Sequence, residues 1–208
     1  MRPRPRPHPD MPGWSSRACT LALATMPRRM VLPLRSSLLS LSLAGALAGC
    51  APALDWRDVP VSEDLLIQFP CRPERVERRV DLGGEAVAAR MLSCEAGGIG
   101  WSVTVFDIGD PYRLADALML LRRSLSTKLR AEESIGPMPA LAALTPQPTA
   151  RRLGLQGRGA EGVPVEAEAL FAARGLQALQ VVAIRRDGPA SRWRDWAGEF
   201  IGSLHARP

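Results

Sequence analysis

The feature that most constrains this chain is a glycine pair, Gly83-Gly84, set between two stretches of alternating apolar and polar residues. Glycine takes positive φ without a Cβ clash, and a two-residue turn with positive φ at both positions matches the twist of the strands it joins. Before the pair, over Arg75 to Leu82, Val76, Val80 and Leu82 share one face, and Glu77, Arg79 and Asp81 share the other. After it, over Glu85 to Glu95, Val87, Ala89 and Met91 share a face. A period of two is the strand signature. The turn also sets the register: Leu82 faces Glu85, and Cys71, carried along the same ladder, faces Ala96. Gly97-Gly98 turns the chain again into Ile99 to Ile108, where Trp101, Val103 and Val105 alternate with Ser102 and Thr104.

Around this core of hairpins the pattern continues. Leu65-Leu66-Ile67-Gln68-Phe69 reads as a short strand closed by Pro70. Asp110-Pro111 opens a helix, with Asp as N-cap and Pro at the first helical position, where its missing N–H costs nothing. Leu114, Leu118, Leu121, Leu125 and Leu129 form one apolar stripe, and Gly136-Pro137-Met138-Pro139 is read as the end of that element. A proline-rich loop to Pro148 follows, with a turn at Leu141–Leu144. Arg151 to Gly157 resumes strand alternation, and Gly159 to Gly162 turns the chain. Val163, Val165, Ala167, Ala169 and Phe171 then face one way, with Glu166 and Glu168 outward. Arg174-Gly175 makes a hairpin to Leu176–Arg186, with Leu179, Val181 and Ala183 inward. After Gly188-Pro189, Trp193, Trp196, Ala197, Phe200, Ile201 and Leu204 form an amphipathic helix face whose spacing says core. The expected fold is α+β: a mainly antiparallel sheet of about seven strands with two principal amphipathic helices packed on it.

The first quarter of the chain is of another kind. Arg28, Arg29 and Arg35 precede the apolar run Leu38 to Ala48, which ends in Leu47-Ala48-Gly49-Cys50. That layout resembles a bacterial lipoprotein signal, and the four residues match the lipobox position by position. The resemblance implies cleavage between Gly49 and Cys50, diacylglycerol on the Cys50 thiol and acylation of the new amine. Ala51, where that family uses Asp for inner-membrane retention, implies the outer membrane, facing the periplasm. The run is shorter than the roughly 20 residues of a spanning helix and fits a signal core. Residues 1–25, with their alternating prolines, are read as an extension ahead of a start at Met26 or Met30; the alternative is a nucleic-acid-binding or twin-arginine-type arm, although Arg28-Arg29 lacks the rest of a twin-arginine motif. Residues 26–49 are the signal, 50–60 a tether whose Trp56 either docks on the domain, the commoner fate, or lies near the lipid surface, and 61–208 a single α+β domain.

This division changes the charge argument. The chain has 27 Lys+Arg and 21 Asp+Glu, but seven of those bases and one of those acids precede Cys50, which leaves 20 of each. Binding to nucleic acid is therefore not expected. It also changes the cysteine argument. Export places thiols in an oxidising compartment, Cys19 is discarded and Cys50 is lipidated, so Cys71 and Cys94 are left to pair. Cys94 lies two residues from the position facing Cys71, and the Pro70/Pro73 irregularity or one bulge can absorb the offset.

The two-halved plan, the Phe69-Pro70 strand end and the closing Trp/Phe helix resemble the PsbP-like α/β/α fold over most of residues 61–205. That family includes photosynthetic extrinsic subunits and many uncharacterised domains, mostly without known catalysis, so the resemblance implies a scaffold and leaves function open.

Motifs for chemistry are sparse. After Cys50 the one histidine is His205, and there is no nucleophile elbow, zinc spacing, phosphate loop or calcium loop. No catalytic residue, metal or cofactor is expected. Glu132-Glu133, at a helix end, and Glu166/Glu168 are read as solvated surface. Arg122, Arg123, Lys128 and Arg130 form a basic cluster that either complements the helix dipole in solvent or contacts an anionic lipid. The expected function is a lipid-anchored, non-catalytic accessory or binding protein that holds an envelope protein partner near the membrane. The alternatives are an envelope hydrolase or small-ligand enzyme with an unrecognised site, and a purely structural envelope component.

Overall fold

The computed structural model describes residues 54–160, 162–186 and 192–208. Gly49 and Cys50, the expected cleavage and lipidation positions, lie outside the described residues.

The described residues form ten strands and two helices. They are β1 (Arg57–Pro60), β2 (Leu65–Phe69), β3 (Glu74–Asp81), β4 (Ala86–Ala96), β5 (Ile99–Asp107), α1 (Pro111–Leu129), β6 (Glu132–Gly136), β7 (Arg151–Arg158), β8 (Pro164–Arg174), β9 (Gln177–Arg185), α2 (Trp193–Gly202) and β10 (His205–Ala206). Seven form one sheet in the order β3-β4-β5-β9-β8-β7-β6, and three form a small sheet, β1-β2-β10. All pairings are antiparallel. The fold is α+β.

Glycine fixes the hairpins. Gly83 and Gly84 have φ of 71° and 90°, the Leu82 N–H donates to Glu85 O at 2.8 Å, and Asp81 pairs with Ala86 in the register read from the turn. Gly97 and Gly98 play the same part between β4 and β5. Asp110 caps α1, its carboxylate accepting from the Tyr112 N–H at 2.8 Å, with Pro111 at the start of the helix. The Leu144 N–H donates to Leu141 O at 3.1 Å, closing the turn expected in the proline-rich loop.

The large sheet is covered on both faces, so it has two cores. On one face α1 lays Leu114, Leu118, Leu121 and Leu129 over Val87, Ala89, Phe106, Leu153, Leu155, Ala167, Ala169 and Phe171. On the other, α2 and the small sheet cover Leu92, Trp101, Val103, Val105, Leu170, Leu179 and Val181. A chain of edge-on aromatic contacts knits this second core. Phe69 of β2 and Trp101 of β5 each meet Phe200 of α2 with ring centroids 5.2 Å apart, and Trp56 meets Trp101 at 5.8 Å. Each such pair adds about 0.5–1.5 kcal/mol beyond the area it buries. Trp193, Ala197, Phe200, Ile201 and Leu204 are buried, so the α2 face is core.

Four expectations are corrected. Residues 54–60 are not tether: Leu54, Trp56 and Val59 pack on the second core, and Arg57–Pro60 pairs with β2. The strand Leu65–Phe69 belongs to the small sheet, and the seventh place in the large sheet goes to Glu132–Gly136. That segment is therefore strand rather than the end of α1. The helix stops at Leu129, where Arg130 enters the left-handed region (φ 46°, ψ 45°). Glu166 and Glu168 are not free surface acids, because the face they share with Leu170 and Ala172 lies on the α2 side of the sheet.

Candidate functional site

Cys71, a half-buried residue, follows β2 and precedes β3, and its sulfur is bonded to that of Cys94 on β4, with the Cα atoms 6.1 Å apart. The offset from the hairpin register is absorbed between Pro70 and Pro73, where the chain is irregular, and β4 needs no bulge. Both cysteines lean on the second core. The bond therefore ties the small sheet to the edge of the large one.

The basic cluster is divided by the fold. Arg122 turns toward β6: its Nε–H donates to Glu133 at 2.8 Å, and a second guanidinium N–H donates to the same carboxylate oxygen. The Ser126 hydroxyl also donates to Glu133. The Arg122 guanidinium, with the hydroxyl assisting, holds the Glu133 carboxyl below its ordinary value of 4.5, against the opposing effect of burial. Arg123, Lys128 and Arg130 are exposed, and among the described residues none of the three enters an ion pair. Of four expected cations, three remain to meet an anion.

Two polar constellations were not expected. The first surrounds Trp193 at the start of α2. Arg185 and Arg194 both donate to Glu166, and their guanidinium carbons stand 5.7 and 5.3 Å from the Trp193 ring centroid. Beside them Arg152 Nε lies 3.4 Å from Glu168, whose side chain is only 14% exposed. These charges are mutually satisfied, and the cleft beside them, about 40 Å³, has room for a water and no more. The second is a shallow groove of about 280 Å³ on β3, β4 and β5, with Ala88 and Ala89 among its lining residues. Arg90 stands in it between Glu77 (3.7 Å) and Asp107 (4.0 Å), and Asp107 also accepts from Gln177 at 2.6 Å. Arg79 lines the same groove, its guanidinium donating to Ala86 O at 2.7 Å. Alternating charges of both signs over a small apolar floor can hold a dipolar group or a short extended segment. The lining contains neither imidazole nor hydroxyl nor thiol. His205 sits elsewhere, on β10, with Nδ1 2.7 Å from Ser203 O.

At the opposite side of the hairpin end, Asp64 is held below the ordinary carboxylate value, chiefly by its hydrogen bond from Arg174 and then by Ser62. The Arg174 Nε–H donates to Asp64 at 2.7 Å. This pair joins the β1–β2 turn to the end of β8. Among the described residues no three His, Cys, Asp or Glu side chains converge on a metal position, and no helix is long and apolar enough to cross a membrane.

Comparison with known proteins adds no assignment. No protein-family model matches the chain, and no curated protein matches it significantly.

Proposed function

We propose that the protein is a lipid-anchored protein of the bacterial cell envelope, held in the outer membrane on its periplasmic side, with a non-catalytic accessory or binding role. The observation that carries this reading is Leu47-Ala48-Gly49-Cys50 at the end of a short apolar run, with a folded domain beginning at once behind it. The Cys71–Cys94 disulfide supports it, since such bonds persist in oxidising compartments. Two or three acyl chains, at about 0.8 kcal/mol per buried CH₂, hold a domain of this size on a bilayer far more firmly than one. The mixed-charge groove on β3–β5 is the surface we assign to a protein partner held near the membrane. The layering, α1 on one face of the sheet and α2 on the other, supports the PsbP-like α/β/α reading of the scaffold.

Cys50→Ser with cell fractionation tests the anchor. The wild type is expected to stay with membranes through salt and carbonate washing, and the variant to move to the soluble fraction. Equal retention of both would remove the reading.

A further inference from the structure

The reading above puts lipid on Cys50, and the inference here rests on that reading. Leu54 stands four residues along the chain from Cys50. Extended chain covers at most ~3.6 Å per residue, so Leu54 lies within about 14 Å of an acylated cysteine. The eleven residues of β4 span about 35 Å at the usual strand rise. One end of the sheet thus starts beside the lipidated position, and the other stands about a strand length further from it.

The register identifies the near end. A Cβ built on Gly97 would sit 3.3 Å from Leu54 Cδ2 and 4.0 Å from Trp196 Cζ3, so Leu54 lies beside the β4–β5 turn. The Asp55 N–H donates to Pro70 O at 2.8 Å, and Trp56 packs on Trp101, whose Nε1–H donates to Ala96 O at 3.1 Å. Leu54, Trp56 and Trp196 are each half-buried, which leaves part of an apolar, aromatic surface open around the turn. Tryptophan, with an apolar body and one N–H, suits the boundary between headgroups and acyl chains.

We propose that this end, the Gly97-Gly98 turn with Leu54, Trp56 and Trp196, rests in the headgroup layer of the bilayer. Exposed Arg72 and Glu95 flank it with opposite charges, and the chain from Cys50 onward is formally neutral, so net charge does not drive the contact. The acyl chains give residence, and the aromatic surface gives orientation. The far end then faces away from the membrane: the Gly83-Gly84 and Gly175 turns, the start of α1 with Tyr112 at 91% exposure, and the chain's last residues, where the Arg207 N–H donates to Asp64 O.

The test uses the full chain purified from membranes, with lipid on Cys50 read by mass spectrometry of the N-terminal peptide. Two variants, Glu95→Cys and Tyr112→Cys, replace exposed side chains at the two ends and accept a fluorophore while the native cysteines stay bonded. Each is reconstituted into phosphatidylethanolamine/phosphatidylglycerol vesicles with and without a headgroup spin-labelled lipid. Quenching at position 95 should exceed quenching at 112 by at least about twofold, because the labels stand roughly a sheet length apart. Equal quenching, or the reverse order, with lipid confirmed on Cys50 overturns the orientation alone; a second copy or a protein partner covering the turn would give that result. Absence of lipid on Cys50 overturns both the orientation and the reading beneath it.

Discussion

Removing the disulfide gives the sharpest test of how the domain is held together. Strand β3 is exposed along nearly its whole length and is an edge of the large sheet, so it contributes little to either core. Its main holds are the ladder to β4, from Glu74↔Ser93 to Asp81↔Ala86, and the Cys71–Cys94 bond at the start of the strand. Exposed side-chain contacts from Arg75 to Pro60 O and between Glu77 and Arg90 add little. With a sequence separation of 23, the chain-entropy argument values the cross-link at about 3 kcal/mol. A domain of this size loses roughly 2–4 °C in Tm per kcal/mol, so the Cys71→Ala/Cys94→Ala variant should melt about 6–12 °C below the wild type. The loss should also be local before it is global. Amide exchange in β3 and at residues 71 and 72 should accelerate first, while β5, β8 and β9, buried between two layers, keep their protection. Circular dichroism melts and exchange mass spectrometry read these two quantities. A variant melting within about 2 °C of the wild type would refute the argument. So would a loss of protection spread evenly over the sheet.

Three further changes probe other parts of the structure. A Cβ at Gly157 would come within 2.3 Å of Leu129 O and 2.9 Å of Ala131 Cα, so Gly157→Ala should destabilise by about 2–3 kcal/mol in urea melts. Gly159→Ala, whose nearest neighbour would be 3.6 Å away, is the control and should stay near wild type. Arg130 sits at φ 46° where glycine is at ease, and Arg130→Gly should stabilise by about 0.5–1 kcal/mol; a loss would contradict the helix-end geometry. Glu133 has its folded-state pKa lowered by Arg122, so its contribution is present above the ordinary 4.5 and fades as pH falls through the lowered value. Glu133→Gln should therefore cost about 0.5–1 kcal/mol at pH 7 and progressively less as the pH is taken below 4.5 and through the lowered value, and a cost that does not change with pH would count against the ion pair.

Where the sequence carries a local cause, it reads correctly. Gly83-Gly84 fixed the hairpin register because two residues at positive φ leave the flanking strands one way to pair. Asp110-Pro111 marked the start of α1, and the 3.6-residue spacing of Trp193 to Leu204 marked a buried face, because both signals lie within a few residues of their effect. Strands without a buried face gave no such signal. Glu132–Gly136 is almost wholly exposed, and Arg57–Pro60 buries only Val59 in part, so neither shows apolar alternation. The partners of Leu65–Phe69 were also illegible, since alternation reports which side of a strand is apolar and not which sheet it joins. Glu166 and Glu168 were misread for a related reason. Alternation alone reads as one wet face, whereas α2 covers the second face and its acids meet Arg152, Arg185 and Arg194. For the site, the Cys71–Cys94 pair was legible because only two thiols are left to meet. The β3–β5 groove draws on residues 77 to 107 from three strands, which no short motif reports.

The order of strands in the large sheet has a consequence for how the chain acquires its structure. It consists of two meanders, β3-β4-β5 and β6-β7-β8-β9, each built from neighbours in the chain. They meet only along β5 and β9, from Ile99↔Arg185 to Asp107↔Gln177, residues 86 to 70 positions apart. Each meander can zip locally, but the seam must wait for a long loop to close, and sheets of high contact order fold slowly for that reason. Until it closes, β5 presents an open central edge lined by Trp101, Val103 and Val105, charged only at its far end, Asp107, where β3 carries charges along most of its length. A chain interrupted before Gln177 keeps that edge bare, and its readiest partner is the same strand of another copy.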